Sequence, residues 1–213
     1  VSLYNETDGV AIPPTPVVGA VGLIEDLAKT ATLRGAQAGD RLILIGKTKG
    51  ALGASLYSRV ILGLHGDSAG APPPVDLGEE ARIGGFVRGL IERGLVNAVH
   101  DASDGGIACA AAEMALVSGV GVTLVPDREP EEMRAEPGLF GEDQARYLIA
   151  ATEEQCAAWD SRGFLPSVLG TFGGDSVVLE TGWGPDGVSY SVTLSDLHAA
   201  HEGWLPSYMN SVG

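Results

Sequence analysis

Basic residues and cysteines are scarce in this sequence of 213 residues. Thirteen Lys and Arg stand against 28 Asp and Glu, which gives a formal net charge of −15. Binding to a nucleic-acid backbone or to an anionic membrane surface needs clustered Lys and Arg, so the composition argues against both partners. The two cysteines, Cys109 and Cys156, lie in Ala-rich helical patterns without a CxxC pair. We therefore expect buried free thiols in a cytoplasmic protein rather than a disulfide framework or a zinc site.

Long hydrophobic runs are also missing. No apolar run reaches the ~18 residues that a membrane-spanning helix needs. No charged segment with an apolar core precedes a signal-peptide cleavage site. The chain begins at Val1, and we expect a fragment whose upstream part has been removed. The content of 45% hydrophobic and 19% charged residues excludes disorder, and the length predicts one to two folded domains.

Helical and strand-like patterns alternate along most of the chain, which predicts the α/β (α+β) class. An amphipathic helix within 75–96, closed by Gly94, and an Ala-rich helix over 106–117 are the clearest. Shorter helices are predicted near 52–63, over 153–162, and after a candidate N-cap at Ser195. A turn is expected at residues 7–9. Strands are predicted at 17–24 (fully buried), 39–46, 96–99, 120–125, 148–151, 167–171, 177–180 and 188–194.

The segment HDASDGG, residues 100–106, lies between a predicted strand and the Ala-rich helix. Gly105 and Gly106 could present backbone N–H groups to an anion at the helix N-terminus. The neighbouring acidic side chains would repel a phosphate unless a divalent cation intervened. Alternatively, Asp104 is an N-cap and the glycines form a tight turn. Both interpretations stay open, and the segment is neither a P-loop nor a dinucleotide fingerprint.

The segment LFGEDQAR, residues 139–146, precedes a predicted strand. Glu142, Gln144 and Arg146 could offer two acceptors and a guanidinium to a polar ligand. A solvated turn with an internal salt bridge is the favoured alternative for this segment by itself.

The polar N-terminal residues form a third candidate. Ser2 and Glu6 would share one face of a strand and could line a site, although a water-facing strand edge explains the pattern equally. No metal-ligand spacing relates the four histidines, and His198 and His201 are interpreted as surface residues. No nucleophile elbow or catalytic Cys/His pair is present, so no catalytic or metal-ligating residue is predicted.

Three long motifs occur in a distinctive order and spacing: VSLYNETDGVAIPPTPVVGAVGLIED, HDASDGGIACAAAEMA and LFGEDQARYLI. Together they resemble the large synthetase subunit of phosphoribosylformylglycinamidine synthase, the ATP-dependent amidotransferase of purine biosynthesis. The resemblance extends over essentially the whole chain. It corresponds to the C-terminal segment of a far longer subunit, whose two pseudo-symmetric halves each resemble a pair of aminoimidazole-ribonucleotide-synthetase domains.

The resemblance implies a fold, a reaction and partners. Residues 1–37 would be the closing strands of a preceding synthetase-type N-terminal domain. Residues 38–213 would be the synthetase-related C-terminal α/β domain, a mixed sheet packed with helices. With ATP and Mg²⁺, the complete enzyme converts formylglycinamide ribonucleotide and glutamine-derived ammonia to the amidine. Its partners would be the remainder of the synthetase subunit, a glutaminase subunit and a small accessory subunit; the way the chain ends favours this multi-subunit form over a fused glutaminase.

Few site residues carry over from the resemblance. The family's substrate-contacting serine falls on Ser2. Glu142 and Gln144 match a substrate motif of the family's first half, with Asp143 where serine is usual. Asp104, Gly105 and Gly106 would be anion- or magnesium-side positions. In the second half, the equivalent pocket is thought to hold a structural nucleotide in some members.

Three hypotheses follow for this chain. The first is an enzyme fragment that is inactive alone, because the catalytic histidine and most magnesium carboxylates belong to the family's other half. The second is a non-catalytic scaffold that holds a structural nucleotide and the subunit interface. A free-standing nucleotide-binding module of another α/β family is the third, and the absent P-loop counts against it. If neighbouring strands are missing, residues 17–24 would form an unpaired hydrophobic edge that self-associates or is disordered.

Overall fold

A mixed β-sheet forms the centre of the structure, a computed structural model that describes residues 6–12, 17–125, 134–161, 163–180 and 189–211. Within these ranges the sheet has seven strands in the order β4-β6-β3-β7-β5-β8-β9, with β5 and β8 parallel and the other neighbours antiparallel. A separate short hairpin pairs β1 with β2. The strands are β1 Glu6–Thr7, β2 Val10–Ala11, β3 Arg41–Ile45, β4 Ala98–Asp101, β5 Val122–Leu124, β6 Tyr147–Ala151, β7 Ser167–Phe172, β8 Ser176–Leu179 and β9 Tyr190–Thr193.

The neighbouring strands β3 and β6 are buried on both faces, which explains their nearly continuous apolar sequences RLILI and YLIAA. Leu42 and Leu44 point into one hydrophobic cluster, whereas Ile43 and Ile45 point into the other. This burial confirms the strand predicted within 39–46 and places it in the middle of the core.

Helices cover both faces of the sheet. Helix α1 (Leu77–Glu92) packs Ile83, Val87 and Leu90 against the isoleucine face. Helix α2 (Gly106–Ser118) covers the leucine face with its alanines and Met114. The remaining helices are α3 Ala135–Phe140, α4 Glu153–Ala157 and α5 Leu194–Ser211. The predicted class, α/β with a mixed sheet packed by helices, is confirmed.

The predicted buried strand at 17–24 is wrong. These residues have no regular secondary structure, and their aliphatic side chains are exposed, Val17 to 94% and Leu23 to 90%. Apolar β-branched residues form a strand only where a neighbouring strand completes the backbone hydrogen bonds. The segment is nevertheless hydrophobic and exposed, and its self-association stays a prediction.

Three helix predictions also need correction. Residues 52–63 contain only a π-helical turn at Tyr57–Ile61, and the helix predicted over 153–162 ends at Ala157. The last helix is capped by Thr193 rather than Ser195, because the Thr193 hydroxyl accepts the Asp196 N–H at 3.0 Å. The turn predicted at residues 7–9 is confirmed by the β1–β2 hairpin. No helix in the described ranges is long and apolar enough to cross a membrane.

Candidate functional site

Three loops that are far apart in the sequence meet at the Glu142 carboxylate. Its Oε1 accepts the backbone N–H of Leu56 and the backbone N–H of Gly105, each at 2.8 Å. One side chain thereby joins Leu56, which precedes the Tyr57–Ile61 turn, to the turn before α2. The structure thus brings together two residues that the sequence analysis singled out separately, Gly105 and Glu142.

The adjacent Asp143 carboxylate holds the glycine-rich loop of residues 47–53, which follows β3. It accepts the backbone N–H groups of Lys49 at 2.7 Å, Gly50 at 2.9 Å and Ala51 at 3.2 Å. Successive N–H groups aimed at one point make an anion-binding concavity. Here the anion is the protein's own carboxylate, which is buried. Asp143, at the position where the resembling motif has serine, is therefore a loop anchor.

Arg146 lies buried beneath the same segment. Its Nε donates to the Asp143 carbonyl at 3.0 Å, Nη2 to the Gly141 carbonyl at 2.6 Å, and Nη1 to the Thr48 hydroxyl at 3.2 Å. Burial lowers the pKa of the guanidinium, while the charges of Asp143 and Glu142 oppose that shift. Arginine stays protonated nonetheless. The interpretation in which Arg146 offers its guanidinium to a ligand is therefore wrong. The favoured internal ion pair exists, but it is buried rather than solvated.

The glycine pair at the start of α2 is required by the backbone. Gly105 and Gly106 have φ of +78° and +67°. A Cβ on Gly106 would lie 2.6 Å from the Gly141 carbonyl oxygen, and one on Gly105 would meet the Cys109 sulfur. Gly105 itself occupies the N-cap position and no side chain caps the helix there. The tight-turn interpretation is therefore correct, but Asp104 is not the N-cap and is exposed.

The other predicted site residues lie apart from this network. Gln144 is exposed, next to Ala145, whose N–H is held at 2.7 Å by Glu80 of α1. Ser2 lies outside the described residues. The loop 47–53 is not among the predicted site residues, although its two glycines and two lysines, KTKGALG, are a visible signal. The buried contacts have no signal in the sequence, because backbone N–H donors occur at every non-proline residue.

The backbone N–H groups that could bind a phosphate in this network are already occupied. The N–H groups of Lys49, Gly50, Ala51, Leu56 and Gly105 already bind protein carboxylates. Across the part of the chain that the structure describes, no group of three His, Cys, Asp or Glu side chains could hold a metal ion. The arrangement holds loops in place, and none of its contacts supplies a reactive group.

A second feature is an open cleft of about 530 Å³ between α2, α5 and residues 33–34. His100 lies at its side, with Nε2 at 2.7 Å from Glu113 Oε2 and Nδ1 at 3.3 Å from Asp101 Oδ1. His198 and His201 of α5 also line the cleft and are exposed. The two cysteines are free and partly buried, and burial raises the pKa of both thiols.

Comparison with known proteins gives a consistent result. The family described as AIR synthase related protein, C-terminal domain, matches residues 37–178. The chain is 50% identical to the phosphoribosylformylglycinamidine synthase subunit PurL of Caulobacter vibrioides, over 99% of this chain and 27% of that protein. It is 45% identical to the corresponding subunit of Parvibaculum lavamentivorans, over 98% of this chain and 27% of that protein.

Solved structures show the same fold at low identity. T. maritima PurL complexed with FGAR matches with a TM-score of 0.64 and 17% identity, over 79% of this chain and 29% of that chain. PurLQS from Thermotoga maritima matches with a TM-score of 0.55 and 19% identity, over 78% of this chain and 27% of that chain. The chain therefore spans little more than a quarter of these relatives.

Proposed function

The chain belongs to the family of the AIR synthase related protein, C-terminal domain, and we propose that it is the C-terminal part of a phosphoribosylformylglycinamidine synthase large subunit. The complete enzyme would use ATP to convert formylglycinamide ribonucleotide and glutamine-derived ammonia to formylglycinamidine ribonucleotide in purine biosynthesis. The observation that carries this proposal is the 50% identity to the PurL subunit of Caulobacter vibrioides over 99% of the chain.

Within that enzyme, the proposed role of residues 38–213 is structural. The polar network uses its side chains to hold three loops of the same domain together, through hydrogen bonds of Glu142, Asp143 and Arg146. A carboxylate that already accepts backbone N–H groups is a poor candidate for general acid or base work, because reaction would break those bonds. The chain alone is therefore proposed to be inactive.

Domain organisation and ligands are proposed on the same basis. Residues 1–37 would belong to a preceding domain; the family match beginning at 37 and the exposed aliphatic segment before it support this division. Structures of T. maritima PurL complexed with ATP and with ADP support ATP binding by the complete enzyme, and Mg²⁺ is proposed with it. Ser2 is proposed to contact the ribonucleotide substrate.

Partners and location complete the proposal. The remainder of the synthetase subunit would cover the exposed N-terminal segment. A glutaminase subunit and a small accessory subunit would complete the enzyme, as the solved PurLQS complex of a relative suggests. The cytoplasm is the proposed location, because free thiols persist in a reducing compartment.

A graft tests the function directly. This chain would replace the matching segment of the Caulobacter subunit in a purine auxotroph that lacks the gene. We expect growth without purine, whereas the 213-residue chain alone should produce no ADP above background with substrate, ATP, Mg²⁺ and ammonia. A graft that folds and assembles but makes no amidine would contradict the proposed function. ADP formation by the chain alone would contradict its proposed inactivity.

The alternative proposal is a scaffold that also holds a structural nucleotide. Titrating ADP with Mg²⁺ into the chain by calorimetry separates the two proposals. Saturable heat on addition of ADP and Mg²⁺ would favour the nucleotide pocket. No heat would favour the scaffold without a pocket, in which Glu142 and Asp143 take the anion's place.

A further inference from the structure

The segment that precedes the sheet has two parts with different surroundings. Residues 17–31 are exposed apart from the half-buried Ala31. The hydrogen bonds described at residues 26–30 are local: Asp26 accepts the N–H of Ala28, and the Thr30 hydroxyl donates to the Leu27 carbonyl. Residues 32–40, which we call the strap, instead bind to the body of the domain.

The first half of the strap is tied to β4 and α2. The Thr32 carbonyl accepts the Val99 N–H at 2.9 Å, so the strap lies along the outer edge of β4. At the end of α2, the Ser118 hydroxyl accepts the N–H groups of both Gly35 and Ala36 at 3.2 Å. Ala36 is buried in the leucine-face cluster. Three backbone groups within five residues are thus held by the body.

The second half is tied through Asp40, which is 2% exposed. Its carboxylate accepts the Gln37 N–H at 2.9 Å and the Asn97 side-chain amide at 2.9 and 3.0 Å. Asn97 in turn accepts from the Gln155 side chain of α4 at 3.1 Å. The Gly39 N–H donates to the Phe172 carbonyl of β7 at 2.9 Å. The strap therefore contacts elements on both sides of the sheet.

The glycine in the first half is tightly packed rather than loose. Gly35 has φ of +131°, and a Cβ there would lie 2.5 Å from the Asn97 carbonyl oxygen. In sequence, a glycine between two predicted domains suggests a hinge. In the structure, the Gly35 N–H is hydrogen-bonded, and the side of Gly35 that lacks a Cβ faces the Asn97 backbone. The glycine therefore allows the two backbones to approach closely.

We propose that the strap is a rigid anchor, and that whatever precedes it pivots at residues 30–31. The boundary at residue 37 that the proposed function uses lies inside this rigid part. Ser118 and Asp40 then act as positioning residues that determine the direction in which the preceding domain leaves the body. The existence of that domain rests on the proposed function, but the anchoring is a property of this chain alone.

Two trypsin sites bracket the pivot. Lys29 and Arg34 are the first two basic residues of the sequence, and both are exposed. Proteolysis of a folded chain follows the local opening of the backbone. We expect the Lys29–Thr30 bond to be cut at least roughly tenfold faster than the Arg34–Gly35 bond. Mass spectrometry of the 213-residue chain during limited digestion gives both rates.

The Ser118→Ala variant removes the acceptor of two strap N–H groups. Cutting after Arg34 should rise roughly fivefold or more, while cutting after Lys29 stays unchanged. Ser118→Thr, which keeps the hydroxyl, should retain protection. Ser207→Ala is the matched control, because that helix hydroxyl donates to the Gly203 carbonyl away from the strap.

Equal rates at the two bonds in the wild-type chain would overturn the proposal. An unchanged rate of cleavage after Arg34 in a folded Ser118→Ala variant would also overturn it. If that variant does not fold, Gly35→Ala replaces it, with folding checked by hydrogen exchange of the β3 amides. Faster cutting after Arg34 with protected β3 amides supports the anchor, and an unchanged rate overturns it. Failure here would leave the synthetase proposal standing, because the digestion involves no substrate or partner.

Discussion

The Asp143 carboxylate and the Arg146 guanidinium lie 3.8 Å apart, with side chains 3% and 0% exposed. Each also binds backbone groups, so the pair connects the loop after β3 to the segment before β6. Removing one partner of a buried ion pair leaves an uncompensated charge, and this cost exceeds the net contribution of the intact pair. The pair is thus more important for fixing loop geometry than for overall stability.

Asp143→Ala should lower the free energy of unfolding by about 3–5 kcal/mol, because three N–H groups and Arg146 lose their shared partner. Urea denaturation measures the change. Asp104→Ala is the matched control: Asp104 is an exposed carboxylate and not the N-cap of α2, so its loss should cost less than about 0.5 kcal/mol. Similar costs for the two variants would show that the buried contacts do not form.

Glu142→Ala should cost about 1–3 kcal/mol, because the N–H groups of Leu56 and Gly105 lose their acceptor in a partly buried site. Hydrogen exchange at these two amides should accelerate, whereas Glu142→Gln keeps an acceptor oxygen and should be milder. The exposed neighbour provides the control, since Gln144→Ala should leave both amides protected. Unchanged exchange in Glu142→Ala would contradict the bridge.

Gly106→Ala should destabilise the fold by about 3 kcal/mol or more, because positive φ and a close carbonyl oxygen act together. Gly119→Ala separates the two effects. Gly119 has φ of +68° but nothing within 4 Å of an added Cβ, so only the backbone strain of about 1–2 kcal/mol applies. Thermal unfolding of both variants gives the difference. Equal losses would mean that the Gly141 carbonyl moves away freely.

Val18→Asp with Val21→Asp should reduce self-association of the chain. Both side chains are exposed and belong to the apolar segment 17–24, and exposed apolar patches favour association. Sedimentation velocity over a range of concentrations measures the effect. Val60→Asp is the control, because Val60 is 71% exposed on a different segment. A wild-type chain that stays monomeric at high concentration would rule out this association.

The stability of the chain should fall as pH rises above the ordinary thiol pKa of about 8.5. Burial raises the pKa of Cys109, and the nearby Glu113 and Glu142 charges add to the shift. The folded state therefore keeps a proton that the unfolded state releases, so alkaline pH favours unfolding. Urea denaturation at about pH 7 and about pH 9.5, on either side of that pKa, should show this loss, and a Cys109→Ala, Cys156→Ala chain should lose less. If the free energy of unfolding falls equally with pH in both chains, groups other than the two thiols cause the pH dependence.

The sequence by itself determined strands β3 and β6, helices α1 and α2, and the class of the fold. These elements are encoded by local apolar periodicity, as in RLILI of β3 and the spacing of Ile83, Val87 and Leu90 in α1. The three long motifs are also sufficient to indicate the family, because each is a continuous run of residues. The apolar periodicity and the motifs both depend only on residues that are close together in the chain.

The tertiary structure alone decided what the polar residues do. Asp143 holds N–H groups 92 to 94 residues away, and the Glu142 carboxylate reaches Gly105 across 37 residues. Backbone donors leave no mark in a sequence, so neither contact is predictable from it. The favoured interpretation of Arg146, an internal salt bridge, has the correct partner type but not the burial, which only the fold determines. The structure of residues 17–24 differs from the prediction for a related reason. Their apolar pattern favours a strand, but a strand forms only where a neighbouring strand supplies its hydrogen bonds.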